Sequence, residues 1–334
     1  MMTDMSLYQK LADSIGFGQS ERVPKMFAMI ADEDEAKFIL AAAPPATVEE
    51  IAERAGIPLE KAQKMVDPLF RKGLIFKSKK PGPQQYYKIR NFVQFHDGTV
   101  LAPDVSEEYL DMWREFEEKE MPAYHEMMIK MGSKPFMRVI PVNVTVESKP
   151  QVLASDDVTQ MVDEAKVIAV TNCSCRTIHP RPEIPLQVCM QLDKAATYAI
   201  DRGTGKELTR QEALDLLKMC EEKGLVHTAM NTRGLGTMIC NCDSVSCGNW
   251  PDKTHAKSFT APSRFIASVD QEACSSCETC ISRCFFDAVS LTGPNDTAAV
   301  DEEKCMGCGL CQVTCPEDAI QMVEIRPLES IPVE

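Results

Sequence analysis

The sequence predicts an α+β protein in three parts, and three observations lead to this prediction. Residues 20–96 alternate helical segments with turns and end in two short β segments. All fifteen cysteines of the 334-residue chain lie between Cys173 and Cys315. The last eight of them fall into two runs of identical spacing. Because cysteines segregated in this way serve local sites and not general packing, we expect a helical N-terminal domain, a cysteine-rich middle domain and a C-terminal domain built on the two runs.

The N-terminal domain is predicted over residues 20–96. Thr47–Glu50 has the pattern of a capping box and opens a helix that ends at Gly56. A second helix is predicted from Pro58 to Lys72, followed by two β segments around the Pro/Gly-rich turn at 81–83. Helix, turn, helix and hairpin in this order resemble a winged helix-turn-helix domain.

Two functions are open for this domain. Residues 61–90 carry nine Lys or Arg and a single acid, Asp67, which suits contacts with DNA phosphates. Against DNA binding, Pro68 removes a backbone hydrogen bond within the candidate recognition helix Leu59–Arg71. This helix also lacks a cluster of Asn, Gln or Arg that would read base edges. We therefore favour a module for docking or dimerisation and keep DNA as the second partner class.

A helical connector is predicted over residues 104–134. Apolar residues recur at helical spacing on both sides of Pro122, which separates two helices or marks a sharp kink. The Met and aromatic stripes of this connector are expected to be core or the seam of a homodimer. The alternating run 138–146 then predicts a strand, and Pro141 within it indicates a sheet edge.

The middle domain, residues 136–253, is predicted to be an α/β domain with a third metal site. A buried strand over residues 166–171 leads to Cys173, and loops that each bear a C-x-C pair are expected to converge at one end of a small sheet. Six cysteines form the candidate site, of which four or more bind: Cys173, Cys175, Cys189, Cys240, Cys242 and Cys247. Another iron–sulfur cluster is favoured here, with zinc as a competitor because the spacing is not diagnostic.

Four other residues of the middle domain receive lesser roles. Cys220 is expected to be a core residue because it follows Leu217 on the buried side of a predicted helix. His179 and His227 are expected to be neighbours of the site and not ligands. Arg176 is a candidate donor of hydrogen bonds to cluster sulfurs, which would raise the reduction potential.

The C-terminal domain is predicted over residues 264–326. Both cysteine runs read C-x2-C-x2-C-x3-C, the ligand spacing of a bacterial two-cluster ferredoxin, in which the fourth cysteine of each run ligates the other cluster. The predicted ligands of cluster one are Cys274, Cys277, Cys280 and Cys315. Those of cluster two are Cys305, Cys308, Cys311 and Cys284. Zinc sites usually have longer stretches between their cysteine pairs, and disulfides need an oxidising compartment, so two [4Fe-4S] clusters are the expected cofactors.

The two runs belong to an internal repeat. Val269-Asp270 corresponds to Val300-Asp301, an offset of 31 residues. Such a repeat predicts two halves related by a pseudo-twofold axis, each with a strand, a cluster loop and a short helix. The halves differ directly after the fourth cysteine, where the first has Phe285 and the second has Pro316.

Taken together, residues 20–325 resemble a group of anaerobic bacterial and archaeal proteins. These proteins have an N-terminal winged helix, a middle segment with the pattern N-C-x-C-R and C-N-C, and a C-terminal two-cluster ferredoxin. The matching pieces are Asn172–Arg176, Cys240–Cys242 and the eight cysteines of the last two runs. The resemblance implies electron transfer in anaerobic metabolism and names no substrate.

Composition narrows the function classes further. A net charge of −14 disfavours a chain whose whole surface binds nucleic acid. The N-terminus has no apolar signal region and no apolar run reaches a membrane span of roughly 18 residues, so we expect a cytoplasmic protein. The leading hypothesis is an electron carrier, a subunit that passes single low-potential electrons to or from a partner redox enzyme. The alternatives are a reductase with a catalytic middle cluster and a redox-sensing winged-helix transcription regulator.

Overall fold

The computed structural model describes residues 4–142, 156–250 and 260–333. Up to residue 142 the elements are α1 (Met5–Asp13), α2 (Val23–Ile30), α3 (Glu33–Ala41), α4 (Val48–Ala55), α5 (Leu59–Arg71), β1 (Ile75–Lys77), β2 (Tyr86–Lys88), α6 (Phe92–Val100), α7 (Glu107–Lys119), α8 (Met121–Lys130) and β3 (Met137–Val139). From residue 156 onward they are α9 (Val158–Glu164), β4 (Ile168–Asn172), α10 (Ser174–Ile178), β5 (Gln187–Leu192), α11 (Lys194–Arg202), β6 (Gly205–Glu207), α12 (Arg210–Glu222), β7 (Val226–Met230), β8 (Met238–Cys242), β9 (Thr260–Ala261), β10 (Phe265–Val269), α13 (Thr279–Ser282), β11 (Val289–Ser290), β12 (Ala299–Val300), α14 (Leu310–Val313) and β13 (Ile320–Glu324).

The chain divides into two compact units. The N-terminal unit comprises residues 1–123, 174–180 and 202–204, and the C-terminal unit comprises residues 124–173, 181–201 and 205–334. This division is coarser than the four domains predicted from sequence, whose boundaries stay predictions. None of the described helices is long and apolar enough to cross a membrane.

The N-terminal unit contains the predicted winged helix. Thr47 caps α4 by accepting from the Glu50 backbone at 3.4 Å, while the Glu50 carboxylate accepts from the Thr47 backbone at 2.9 Å. Gly56 ends α4 in the left-handed region with φ 66°. Helix α5 follows with Pro68 inside it, and β1 pairs antiparallel with β2 to form the wing. The predicted winged helix-turn-helix is thereby confirmed.

Helix α7 supplies much of the core of this unit. Tyr109, Trp113 and Phe116 are buried along its length, and the Trp113 ring lies 5.3 Å from that of Phe95 on α6. The first stripe of the predicted connector is therefore core. Helix α8, in contrast, has no buried residue, and Met131 just beyond it is 72% exposed. The homodimer seam stays a prediction.

The C-terminal unit contains a seven-stranded sheet in the order β6-β4-β5-β8-β7-β3-β9. All its neighbouring pairs are antiparallel except β3 with β9, so the predicted sheet is present but is not a parallel α/β layer. Apolar residues of α9 and α12 pack on β4, β5 and β8 in one buried cluster. The antiparallel order matters because it brings the start of one strand next to the end of its neighbour.

One strand prediction was wrong in its placement. β3 was expected at a sheet edge because of Pro141, yet it pairs with β7 on one side and β9 on the other. The reason is that β3 ends at Val139, so Pro141 takes no part in its ladder. Residues 143–146 of the predicted strand lie outside the described residues.

The last part of the C-terminal unit shows the predicted repeat. β10 pairs with β13 and β11 pairs with β12, so each half contributes one strand to each ladder. Asp270 accepts from the backbone of Glu272 at 2.9 Å, and Asp301 accepts from that of Glu303 at 3.0 Å. These equivalent aspartate turns start the two cysteine loops with the same geometry.

Candidate metal centres

The four cysteines predicted for cluster one line a single cavity. The cavity has about 350 Å³ of empty space, part of which is open to solvent. The cysteines are Cys274, Cys277, Cys280 and Cys315. Three of them come from one loop and Cys315 comes from the other half of the repeat, 35 residues after Cys280. This crossed arrangement is the one that the spacing predicts.

Backbone conformation curls both cysteine loops. Ser276 and Glu278 have φ of 58° and 61°, and at the equivalent positions Gly307 and Gly309 have φ of 68° and 78°. Positive φ turns the chain sharply enough for successive cysteines to face one volume. Glu278 and Gly309 also begin the short helices α13 and α14, which carry the third cysteine of each run.

The four cysteines predicted for cluster two lie close enough to influence one another electrostatically. Burial, together with the neighbouring Cys305 and Cys284, raises the pKa of Cys308 to about 12. Burial likewise raises the pKa of Cys311, with smaller contributions from Cys308, Cys305, Cys284 and Cys280. The Cys284 sulfur accepts a hydrogen bond from the Ala288 backbone at 3.3 Å.

The donor sets fit iron–sulfur clusters. Each set consists of four thiols from two loops, and iron–sulfur clusters are held by thiolates. Thiols with raised pKa are protonated at neutral pH, so cluster binding must displace protons, and the metal charge stabilises the thiolates that result. A backbone N–H group also points at the cluster-one set, since the Cys274 sulfur accepts from Ala298 at 3.5 Å. Ligation by these eight residues stays a prediction.

The register of the middle sheet brings three other cysteines onto one face. Met190 of β5 pairs with Ile239 of β8, so the next position of the same antiparallel ladder places Cys189 opposite Cys240. Cys242 lies two residues beyond Cys240 and therefore on the same face of β8. The sequence had predicted convergence of loops, whereas the strands themselves carry these thiols.

Cys173 and Cys247 join this face from the strand ends. Hydrogen bonding to Cys173 and Cys240 raises the pKa of Cys189 well above its usual range. Hydrogen bonding from Cys240 and Cys247 lowers the pKa of Cys242 well below its usual range. The result is a connected group of five thiols, which we call the five-thiol group: Cys173, Cys189, Cys240, Cys242 and Cys247.

The loop after β8 is held by Asp243. Its carboxylate accepts from the backbone of Val245 at 3.0 Å and of Ser246 at 2.8 Å, which turns Cys247 back toward the sheet. Within the described ranges, no set of three or more His, Cys, Asp or Glu side chains is arranged to hold a metal ion as it stands. The third metal site and its identity therefore stay predictions, supported by the proximity of five thiols.

Other predicted residues of the middle domain are on α10, on α12 and after α10. Cys175 and Arg176 are on α10, which belongs to the N-terminal unit, so the structural argument for the five-thiol group does not include them. Cys220 is buried on α12, as expected for a core residue. His179 bonds to Glu117 at 2.6 Å within the N-terminal unit.

His227 faces away from the five-thiol group. It pairs with Asn241 in the β7–β8 ladder and therefore lies on the opposite face from Cys240 and Cys242. It is fully buried, and its ring nitrogens bond to Asn241 at 2.6 Å and Glu221 at 3.2 Å. The expectation that His227 is not a ligand agrees with this position.

Two residues near the sites escaped the sequence analysis. The Thr228 hydroxyl lies 3.5 Å from the Cys242 sulfur, since β7 pairs with β8. Trp250 donates from its backbone to the Cys247 carbonyl at 3.1 Å, and its ring stacks on Phe286 at 5.1 Å. Neither residue belongs to a sequence motif. The one signal in the sequence was the position of Trp250, three residues after Cys247.

The basic residues of α5 and Lys72 at its end are paired with acids. Lys61 pairs with Asp34, Lys64 with Glu60 at 2.7 Å, Arg71 with Asp67 at 2.8 Å and Lys72 with Glu35 at 3.2 Å. On the wing, the Arg90 guanidinium lies over the Tyr87 ring at 3.9 Å. The positive charge along α5 that suggested phosphate contacts is thus mostly neutralised by neighbouring carboxylates.

Two family models match parts of the chain. A model described as a 4Fe-4S dicluster domain matches residues 267–322, and one described as sugar-specific transcriptional regulator TrmB matches residues 32–92. No curated protein matches the chain. The protein therefore combines a TrmB-type winged-helix domain at its N-terminus with a 4Fe-4S dicluster domain at its C-terminus, and the match to the dicluster domain supports iron–sulfur clusters as cofactors.

Proposed function

We propose that this protein is an iron–sulfur electron-transfer protein that relays single low-potential electrons to or from a partner redox enzyme. The observation that carries the proposal is the cavity where three thiols of one loop meet Cys315 of the other. A centre held by four protein thiolates has no open position for a substrate. Such a centre stores and passes electrons, which is the role of a carrier subunit.

The chain's own residues would set how easily the centres are reduced. When bound, the clusters supply one-electron storage. The backbone of Ala288 donates to the sulfur of Cys284, and that of Ala298 donates to the sulfur of Cys274. Donors aimed at cysteine sulfur stabilise the more negative, reduced form and raise the potential. Burial of Cys308 and Cys311 has the opposite effect, because desolvation disfavours added charge.

Measurement of iron and of reduced-state spectra tests this function. The full chain is purified and reconstituted with iron and sulfide without oxygen, and is then titrated with a low-potential reductant under EPR detection. We expect about eight irons per chain from the dicluster domain, with further iron if the five-thiol group also holds a cluster. A colourless protein that holds only zinc, or four irons or fewer, would contradict the proposal.

A second candidate function is a redox-responsive DNA-binding regulator. The match to a transcriptional regulator family over residues 32–92 favours it. The ion pairs along α5 oppose it, because each phosphate contact there would first have to displace a carboxylate. Selection of bound duplexes from a random pool, with oxidised and with reduced protein, separates the two functions. An enriched DNA motif that the protein binds with an affinity that changes on reduction would establish the regulator function. If no motif is enriched, the electron carrier is the function that the result favours.

A further inference from the structure

The two cysteine sets of the dicluster domain have different surroundings. The cavity of the cluster-one set opens to solvent, and Cys277 on its wall is exposed. Three cysteines of the cluster-two set instead pack against a buried core that includes Val139 and Val226 of the middle sheet, and Val142 just beyond β3. The Val142 backbone also donates to the Cys308 carbonyl at 3.0 Å. One set therefore faces outward, and the other faces the middle sheet.

The internal repeat shows the same difference at one pair of positions. Phe286 and Glu317 are equivalent, since each is two residues beyond the fourth cysteine of its run. Phe286 is buried in the core next to the cluster-two set, whereas Glu317 lines the open cavity of the cluster-one set. An apolar residue is suited to a covered position and a carboxylate to a solvated one.

The buried side leads directly to the five-thiol group. Val226 belongs to the core that contacts Cys284, Cys305 and Cys308, and in the β7–β8 ladder it pairs with Cys242. One residue of β7, Val226, thus lies opposite a thiol of the five-thiol group and belongs to the core on which the cluster-two cysteines pack. Adjacent strands lie about 5 Å apart, so Cys242 is close to this core.

Trp250 contacts residues next to both groups of thiols. Its backbone bonds to Cys247 of the five-thiol group, and its ring stacks on Phe286 with the two planes 2° apart. The Trp250 side chain is part of the core on which Cys284, Cys305 and Cys308 pack. It therefore touches the segments that carry both groups of thiols.

We propose that Trp250 is a positioning residue that couples the five-thiol group to the cluster-two cysteines, so that the centres act in a fixed order. With clusters bound, Cys284, Cys305 and Cys308 would help to hold the centre next to the middle group, and the cluster-one cysteines would hold the centre that meets the partner enzyme. If the five-thiol group holds a redox-active metal, each transfer would move one electron from one centre to the next, with no proton or atom moved. The partner enzyme supplies or removes the electron at the end of the chain. This inference rests on the proposed function.

The test uses the full chain reconstituted with iron and sulfide, and compares Trp250→Ala with Trp250→Phe by EPR-monitored redox titration. We expect Trp250→Ala to shift the reduction potential of one of the two dicluster centres and leave the other unchanged. Trp250→Phe, which keeps an aromatic ring for stacking on Phe286, should restore the wild-type value. Rescue by phenylalanine distinguishes positioning from a general loss of structure.

Glu317→Ala is the matched control at the pseudo-equivalent half. It should shift the potential of the other centre, because Glu317 lines the cluster-one cavity. The inference would be overturned if neither potential changes in Trp250→Ala, or if both change equally. It would also be overturned if Trp250→Ala and Glu317→Ala change the potential of the same centre. If Trp250→Ala proves too unstable, Phe286→Leu tests the same stacking from its other side. Failure of the wild-type chain to bind two clusters would instead overturn the proposed function.

Discussion

Arg264 donates through Nε to Asp156 at 2.9 Å, and both residues are 2% exposed. The other Asp156 oxygen accepts from Arg138 at 3.2 Å, and Arg138 is also buried. Arg264 further binds Glu324 at 2.7 Å. One carboxylate thus lies between two buried guanidinium groups and joins β3 of the middle sheet to the residue directly before β10 of the dicluster domain.

Replacing that carboxylate should be costly. We expect Asp156→Ala to lower the free energy of unfolding by about 3–5 kcal/mol, since removal of one partner leaves buried charges uncompensated. Denaturant unfolding of the full chain measures the difference. The control is Asp163→Ala, because Asp163 pairs with Arg210 at the surface, where the expected change is within about 1 kcal/mol. Equal stability of the two variants would refute the role of Asp156.

Removing Cys315, the predicted cluster-one ligand that comes from the other half of the repeat, should remove one cluster. We expect Cys315→Ala to lower the iron of the dicluster domain by about half, because Cys315 completes the cluster-one set. Iron analysis and EPR of the reduced protein measure this. Cys220→Ala is the control, since Cys220 is a buried core thiol of α12, and it should retain full iron. Unchanged iron in Cys315→Ala would show that the assignment of ligands is wrong.

The cluster-two loop depends on Gly307. A Cβ at this position would overlap the Phe265 carbonyl and the Ser263 hydroxyl, and φ is +68°. Gly307→Ala should therefore displace the loop and reduce the iron of the dicluster domain by about half. Its equivalent, Ser276, already accommodates a Cβ at φ 58°, so Ser276→Ala should bind iron normally. Similar iron contents in both variants would contradict this explanation.

The five-thiol group should bind metal independently of the dicluster domain. Cys189 contacts both Cys173 and Cys240, and we expect Cys189→Ala to abolish the metal bound by this group. The spectra of the two dicluster clusters should persist. Elemental analysis gives the identity of the metal, which decides between iron and zinc. If the metal content of Cys189→Ala is the same as that of the wild type, these thiols serve packing alone.

The paired acids of α5 should limit DNA binding. We expect Glu60→Gln combined with Asp67→Asn to strengthen non-specific binding of duplex DNA, because Lys64 and Arg71 lose their carboxylate partners. The affinity should also become more dependent on salt, by roughly one unit of slope for each freed charge that meets a phosphate. Fluorescence anisotropy at several salt concentrations measures this. Glu108→Gln with Glu118→Gln makes the same change of net charge away from α5 and should have a smaller effect.

Local sequence patterns were sufficient for much of the fold. The capping box at Thr47, the end of α4 at Gly56 and the hairpin after α5 were all predicted, since each depends on contacts within a few residues. The repeat of the dicluster domain could also be predicted, because the cysteine spacing and the aspartates before each run recur at a fixed offset in the sequence. Features that depend only on residues close in sequence can therefore be predicted without the tertiary structure.

The sequence by itself determined which residue types could hold iron and that the N-terminal region forms a winged helix. Only the tertiary structure decided that Cys189 lies opposite Cys240, that carboxylates neutralise the basic residues of α5, and that Trp250 stacks on Phe286. These relationships depend on strand register and on contacts between residues distant in sequence, which the packing of the whole unit selects. The same long-range packing places one cysteine set against the middle sheet and leaves the other open to solvent.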